Sequence, residues 1–183
     1  MSGTCDQFDR TTDCTDSGAE VIAVAVNGTL QAQTDGTVDG SWQISNVVQP
    51  SSGAVITVFV NGEATVAERA NAVTKYDGTG DITGIQLYQR HLTIGSDDNQ
   101  TITNTNLPSY DYSVSSSDAD IIFDVDSGSD LALDQVLPTE KYTDETLYIL
   151  PSNTFQPGAA GGFDVTTHHL EIPASATLTA NAN

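Results

Sequence analysis

Basic residues are scarce in this 183-residue chain, which has five lysines and arginines against 25 aspartates and glutamates. The net charge of −20 repels phosphate groups and anionic lipid headgroups over the whole surface. We therefore expect no binding to nucleic acid or to a membrane surface, whereas divalent cations and cationic surfaces are suitable partners. Two explanations of the charge stay open: solubility or adaptation to high salt, and bound calcium.

Residues that build amphipathic helices are also in short supply. Charged residues make up only 16% of the chain, and threonine, serine, asparagine, glutamine and glycine supply most of its polar surface. This composition favours strands over amphipathic helices. No apolar run approaches the roughly 18 residues that a membrane helix needs. The amino end has no basic region followed by an apolar core, so we expect neither membrane insertion nor a signal peptide within these residues.

Only two cysteines are present, Cys5 and Cys14, in one short polar segment. The eight residues between them can close a loop, so we predict a disulfide bond that pins the amino end and indicates an extracellular location. A metal-binding pair is one alternative, but a structural zinc site needs four ligands. The histidines, His91, His168 and His169, have no matching spacing. Two free thiols are the other alternative.

Signatures of known enzyme classes are missing. The chain has no Gly-x-Ser-x-Gly elbow, no His-Glu-x-x-His motif and no phosphate-binding loop. The adjacent pair His168-His169 would point to opposite faces of a strand, so both could not bind one metal without distortion. We assign no catalytic residue and expect that the protein is not an enzyme.

The longest strand-like run is Tyr76–Ile94, which opens with a turn rich in glycine and aspartate. Within it Ile85 and Leu87 share one parity, whereas Leu92 has the other, so the inward face changes around Gln89–His91. A β-bulge, or a strand that leaves one sheet for another, produces such a change. We therefore predict a bend between two sheets at this point.

Other runs predict strands and turns. Asn27-Gly28 separates the strand-like runs Glu20–Val26 and Thr29–Gln33, which favours a hairpin, although the corner of a solenoid has a similar pattern. Ala54–Val60 is almost continuously apolar and rich in valine and isoleucine. It predicts a central strand that is buried on both faces.

Taken together, about eleven or twelve short strands predict an all-β fold. We expect a mainly antiparallel β-sandwich, similar to a jelly roll, whose terminal strands can be exchanged between subunits. Residues 1–18 are expected to form an irregular, disulfide-pinned leader. Residues 19–183 are expected to form one sandwich domain, with strand-like terminal units at about residues 20–33 and 163–181.

Acidic loops are the best candidates for a metal site. Asp124, Asp126 and Asp130 stand at the first, third and seventh positions of a loop with a central glycine. Short oxygen-rich loops of this kind can supply several ligands to calcium. Asp77 and Asp81 form a weaker version of the same pattern. A plain polar turn is the alternative in each case.

The two ends of the chain contain similar short runs. Thr29–Gln33 and Thr177–Asn181 share the pattern Thr-Leu-polar-Ala-amide. Like units at both ends of one domain are what head-to-tail stacking requires, and a terminal strand can also be donated to a neighbour's sheet edge. The side chains that we expect at such self-assembly contacts are Val21, Val24, Val26, Leu30, Leu170, Ile172 and Leu178.

Several runs within residues 40–181 resemble a module of very large, repetitive, secreted surface proteins of uncultured environmental bacteria. These runs are GSWQISNVVQPSSGAVITVFVNGEA, AVTKYDGTGDITGIQLYQRHLTIGSDDNQTITNTNL, DADIIFDVDSGSDLALD, ETLYILPSNTFQPG and VTTHHLEIPASATLTAN. The resemblance implies a spacer or adhesin-type unit among β-solenoid-like repeats, with no catalytic motif. The amino end, with its cysteine pair, departs from the module.

These observations predict a structural subunit of an extracellular filament or surface array, assembled head to tail from copies of itself and stabilised by calcium. The alternative is an adhesin or carbohydrate-binding module, with glycans as partners. Tyr110 and Tyr112 would share one face of a strand and are the candidate glycan-stacking residues. Tyr88 and Trp42 are further candidates, although a lone tryptophan is more often a core residue.

Overall fold

The structure is a computed structural model that describes residues 1–14, 19–62, 66–103, 120–125, 131–132, 145–157 and 169–179. These ranges contain strands and a short 3₁₀ helix, Val66–Glu68, and none of their helices is long and apolar enough to cross a membrane. The strands are β1 (Ser2–Asp6), β2 (Val21–Val26), β3 (Thr29–Gly36), β4 (Ser41–Gln43), β5 (Val55–Val60), β6 (Asn71–Lys75), β7 (Ile85–Tyr88), β8 (His91–Ile94), β9 (Thr101–Thr103), β10 (Asp124–Val125), β11 (Leu131–Ala132), β12 (Thr146–Ile149), β13 (Thr154–Gln156), β14 (His169–Glu171) and β15 (Thr177–Leu178).

Seven of these strands form the main sheet, in the order β14-β12-β8-β6-β5-β2-β3. Strands β3, β2, β5 and β6 pair antiparallel, whereas β6, β8, β12 and β14 pair parallel. The predicted all-β sandwich is therefore confirmed. The predicted antiparallel pairing holds for only one half of its main sheet.

Local patterns explain the antiparallel half. Asn27 and Gly28 have φ angles of 48° and 72°, the left-handed conformation that a tight hairpin turn requires. The predicted hairpin between β2 and β3 is thus confirmed. Strand β5 is buried along its whole length, as its apolar run predicts.

The parallel half is built from three coils, in each of which a main-sheet strand is followed by a strand of a smaller sheet. These pairs are β8 with β9, β12 with β13, and β14 with β15. In each coil the chain passes from the main sheet to the smaller sheet, and the next coil begins with a main-sheet strand that runs in the same direction as the one before. Equivalent strands of successive coils therefore pair parallel instead of forming hairpins. The stacked apolar positions are Leu92, Leu147 and Leu170 in the main sheet, and Ile102, Phe155 and Leu178 in the smaller sheet.

The turn within each coil has a recurring conformation. Asn99, Ser152 and Ser175 all have positive φ angles, of 50°, 67° and 70°. The buried side chain of Asn153 connects two of these turns, since its amide nitrogen donates to the Ser96 carbonyl at 3.0 Å. A Cβ atom at Gly95 would lie 2.2 Å from that amide group, so this turn requires glycine.

Both faces of the main sheet are covered, which makes the described part of the molecule a three-layer structure. The first core lies between the main sheet and the sheet β15-β13-β9, and the second core lies between the main sheet and the sheet β4-β1-β7. The buried residues of the first core are Ala23, Val55, Phe59, Val73, Leu92, Ile94, Ile102, Ile121, Phe123, Leu147, Ile149 and Phe155. Those of the second core are Cys5, Cys14, Ile22, Val24, Trp42, Ile44, Ile56, Val58, Val60, Ala70, Ala72, Tyr76, Ile82, Ile85 and Leu87.

The amino end is part of this architecture. Strand β1 is the middle strand of its sheet, antiparallel to β4 and parallel to β7. Cys5 and Cys14 form the predicted disulfide, with their Cα atoms 5.5 Å apart, and both are fully buried. The prediction of an irregular leader over residues 1–18 is wrong for residues 2–6, because β1 fills a gap between two strands that come from distant parts of the chain.

The bend predicted near Gln89–His91 is confirmed. Strand β7 belongs to the sheet of β1, whereas β8 belongs to the main sheet. Arg90, between them, has a φ angle of 64°, a conformation that non-glycine residues seldom adopt. The run Tyr76–Ile94 therefore passes from one layer of the sandwich to the next.

Replacement of both cysteines, Cys5→Ala with Cys14→Ala, should lower the free energy of unfolding by roughly 2–3 kcal/mol, because the unfolded chain loses a closed loop of about ten residues. The expected fall in Tm is roughly 4–12 °C for a chain of this length. Thermal melts with and without reductant measure it. The double variant should be insensitive to reductant, and a melt equal to that of the wild type would show that the disulfide does not stabilise the fold.

Candidate functional site

Strands β3 and β14 lie at opposite edges of the main sheet, and within the described ranges each of them pairs with one neighbour only. An open strand edge presents N–H and C=O groups that can pair with another chain. We call the outer side of β3 the first edge and the outer side of β14 the second edge. The first edge belongs to the predicted N-terminal unit and the second to the predicted C-terminal unit.

The first edge has an exposed apolar side chain beside an irregular segment. Leu30 is 47% exposed and lies opposite Ala25 of β2. The pairing is irregular between Ala23, which is opposite Thr34, and Ala25, so residues 31–33 form a bulge. Bulges limit the pairing of an edge strand with other chains. Regular pairing at this edge is therefore confined to short segments on either side of the bulge.

The second edge belongs to the last of the three coils, which consists of β14 and β15. Leu170, Ala176 and Leu178 are only partly buried against the first core, and Ile172 is 44% exposed. In the described part of the chain no further strand covers this coil. Terminal units of stacked repeats usually need a polar outer face to stay soluble, so these apolar side chains favour contact with another chain.

The structure separates the predicted self-assembly residues into two groups. Val24 is fully buried in the second core, so its assignment to a subunit contact is wrong, and Val26 packs against the same core. The cause is the position of β2 between β3 and β5 in the main sheet. Every second side chain of this strand, including that of Val24, points into the second core. The residues that keep exposed or partly exposed side chains near the edges are Val21, Leu30, Leu170, Ile172 and Leu178.

The predicted repeat between the two ends is wrong in its details. Thr29–Gln33 lies in the main sheet, whereas Thr177–Leu178 lies in the smaller one, so the two runs do not occupy equivalent positions. The repeat in the structure joins residues 146–156 with residues 169–179, as their strand registers show. Its signal is readable in TLYILPSNTFQ and HLEIPASATLT, which share Leu-x-Ile and, five residues further on, Thr followed by an apolar residue.

A cluster of charged and aromatic side chains connects the disulfide loop to the second edge. Arg10, inside the loop, forms a two-pronged ion pair with Glu171 of β14. Its guanidinium lies 4.8 Å from the ring centre of Tyr148 and 5.9 Å from that of Tyr88, within the range of cation–π attraction. We call these four side chains the Arg10 cluster. Nothing in the local sequence around Arg10 or Glu171 indicates it, since the two are 161 residues apart.

Next to the cluster, Phe8 packs on His91 with the ring centres 5.3 Å apart. The guanidinium of Arg90 lies 5.2 Å from the Phe8 ring. Burial lowers the pKa of His91, although the nearby Gln89 carbonyl, 2.7 Å from Nδ1, opposes that effect. His91 is therefore favoured in its neutral form, with Nδ1–H donating to that carbonyl.

Burial also affects the acids and phenols of this region. The pKa of Tyr88 is raised to about 12, first by burial and then by the neighbouring Tyr148 and Asp6. Its hydroxyl group therefore stays protonated and donates to Gln86. The pKa of Asp6 is raised as well, by burial and by the nearby carboxylates of Asp13 and Asp9.

A cleft of about 460 Å³ borders the Arg10 cluster. Its polar lining suits a sugar, but the aromatic rings are not available for stacking. Tyr88 is only 7% exposed, and the guanidinium of Arg10 lies against Tyr148. Trp42 is buried in the second core, as a lone tryptophan usually is. Tyr110 and Tyr112, the predicted glycan-stacking residues, lie outside the described residues.

The predicted calcium ligands are described only in part. Asp126 and Asp130 lie outside the described residues, and Asp124 is described only as part of β10. Asp77 accepts hydrogen bonds from the backbone and hydroxyl of Thr79, and Asp81 is exposed. Among the residues that the structure does describe, no three potential ligands converge on one point. Calcium binding stays a prediction.

Several carboxylates in the described loops act as acceptors for backbone N–H groups. Asp98 accepts from the backbone of Asp77 at 2.9 Å, and Asp97 accepts from that of Thr83 at 2.8 Å. Burial raises the pKa of Asp98; the hydrogen bond from the Asp77 backbone opposes this effect, and the charges of Asp77 and Asp97 add to it. Part of the acidic composition thus stabilises turns, for which short acceptor side chains are well suited.

Comparison with known proteins yielded no assignment: no family model matches the chain, and neither curated proteins nor solved structures include a significant match. The resemblance to a module of large surface proteins therefore stays a prediction.

The variant Arg10→Gln should lower the free energy of unfolding by about 1 kcal/mol, because it removes a partly exposed ion pair and the attraction of the guanidinium to two tyrosine rings. Urea unfolding at low salt measures the change, which should shrink at high salt. The variant Lys75→Gln removes the same charge from a site on β6, away from the cluster, and is the matched control. Equal losses in both variants would contradict a specific role of Arg10.

A pH dependence should arise from His91. Because its pKa is lower in the folded than in the unfolded state, the unfolded state binds the additional proton, and stability should fall as the pH drops below about 6.5. Urea midpoints at pH 7.5 and 5.5 measure this fall, which His91→Gln should reduce. The exposed His169 provides the control variant His169→Gln. If the His91 variant retained the full pH dependence, the effect would belong to other groups.

Proposed function

We propose that this protein is a structural subunit of a homopolymeric extracellular filament, in which the second edge of one copy pairs with the first edge of the next. The observation that carries the proposal is the position of β3 and β14 at opposite edges of one continuous sheet. A contact between two different edges is heterologous. Such a contact generates a linear assembly when the rotation between successive copies does not close a ring.

The strand directions are compatible with such a contact. Strand β3 runs antiparallel to β2, β2 to β5, and β5 to β6, whereas β14 runs in the same direction as β6. Strands β3 and β14 therefore run in opposite directions. A copy displaced along the sheet would bring its β3 antiparallel to β14 of its neighbour, and antiparallel ladders form well-aligned hydrogen bonds.

The charge distribution is also compatible with self-association. Two molecules of charge −20 repel each other, but the edge strands themselves have few acids. Strand β3 has one, Asp35, which accepts a hydrogen bond from the backbone of Gln43 at 2.6 Å. Strand β14 also has one, Glu171, which is paired with Arg10. Added salt or divalent cations would screen the rest of the surface, so cations are expected to promote assembly.

The disulfide supports an extracellular site of assembly. Structural disulfides persist in oxidising compartments and are uncommon in the cytosol of most organisms. Cys5 and Cys14 are buried in the second core, and their bond holds the loop that contains Arg10. A subunit whose terminal contacts depend on this loop suits an oxidising environment.

Purified protein should form filaments whose number increases with ionic strength, visible by negative-stain electron microscopy. The subunit repeat should be about 34 Å along the sheet, since seven strands are spaced about 4.8 Å apart. Fibre diffraction of aligned filaments should show the subunit repeat of about 34 Å and the strand spacing of about 4.8 Å.

The variant Leu30→Glu should abolish these filaments, because it places a charge at the first edge. Val48→Glu changes the charge equally, at a residue that is 80% exposed and lies outside the strands, and should assemble normally. Wild-type protein that stays monomeric at every salt and calcium concentration would refute the proposed filament.

A further inference from the structure

We propose that adjacent subunits join in one register, in which Leu170 of one copy lies opposite Leu30 of the next. This inference rests on the proposed function and specifies its contact. Both side chains are apolar and retain exposed surface in the single chain: Leu30 is 47% exposed, and Leu170 is only partly buried. Their pairing would remove apolar area from water at a contact that otherwise consists of backbone hydrogen bonds.

The two leucines lie on the same face of the main sheet. Leu30 is opposite Ala25, and the side chains on either side of Ala25, Val24 and Val26, point to the second core. Because side chains alternate along a strand, Ala25 and Leu30 point to the first-core face. Leu170 is in register with Leu147, which belongs to the first core. A continued sheet would place Leu30 of the next copy beside the row of leucines Leu92, Leu147 and Leu170.

Antiparallel pairing around these leucines places compatible neighbours opposite each other. Glu171 falls opposite Thr29, and His169 falls opposite Gln31, so no two acids meet. Leu30 also precedes the bulge of residues 31–33, in a part of β3 that retains regular pairing with β2. The incoming strand is short, since β14 has three residues. Leu170 and Glu171 would pair with the regular segment Thr29–Leu30, and His169 would lie beside Gln31, where the bulge begins.

Other registers of the same parity are less favourable. On the far side of the bulge, Leu170 opposite Thr34 would lose the contact between leucines. One step further, Leu170 opposite Gly36 would bring Glu171 opposite Asp35, and like charges directly opposite each other are destabilising. A register centred on Ala32 would lie within the bulge itself. The apolar contact and the position of the bulge thus select Leu30.

Thiol cross-linking of mixed subunits tests this register. Copies with Leu30→Cys and copies with Leu170→Cys are incorporated together into filaments with an excess of wild-type protein, and a short thiol-specific bridging reagent is added. The native cysteines are already joined in a buried disulfide. The mixture should give about tenfold more covalent dimer than either variant alone, because directly opposed Cβ atoms are roughly 5 Å apart.

A matched mixture of Thr34→Cys with Leu170→Cys separates the registers. Dimers that form only with position 30 support the proposal, whereas dimers that form mainly with position 34 overturn it while the filament model stands. Filaments that give dimers with neither position would also overturn it. Absence of filaments in the wild-type sample would refute the proposed function together with the register, so the two failures are distinguishable.

Discussion

Burial of the main sheet on both faces is the constraint on which the rest of the structure depends. The two three-stranded sheets cover it from opposite sides, so strands such as β5 have no face left to contact solvent. Backbone N–H and C=O groups inside the sheet are already paired, and in the described part of the chain the open pairing capacity of this sheet lies at its two ends. A sheet of this kind can be extended only along its strand order, so the proposed self-association would proceed in one dimension.

The disulfide loop links the two ends of the chain across this sandwich. Cys5 anchors β1 in the second core, and the loop that begins there brings Arg10 to Glu171 on the last main-sheet strand. One of only five basic residues is thus placed beside the acid of β14. The same contact positions an edge strand of three residues that has little packing of its own. We therefore regard the amino-terminal loop as part of the proposed assembly surface.

Features encoded over short distances were predictable. The valine-rich run of β5, the hairpin at Asn27-Gly28 and the change of face near Arg90 each depend on a few neighbouring residues, and each is present in the structure. The paired cysteines belong to the same class, since they are only nine positions apart in the sequence. Local conformational preference and alternation of side chains are sufficient to determine such features.

The coil repeat was not predicted, because its signal is spread over unequal intervals. Coils one and two are separated by residues 104–145, whereas coils two and three follow each other closely. Each Leu-x-Ile segment indicates a strand but not the direction in which that strand pairs. The Arg10 cluster was missed for a related reason, since its members come from four distant segments that only the fold brings together.

By itself, the sequence determined the all-β class, the strands that are buried on both faces, the disulfide and the strongly acidic surface. These properties follow from composition and from patterns a few residues long. Only the tertiary structure decided that β3 and β14 are the edges of one sheet, that they run in opposite directions and that Val24 is buried away from them. The physical reason is that strand order results from competition among distant segments for the same hydrogen bonds and the same apolar surface, and no local pattern records the outcome.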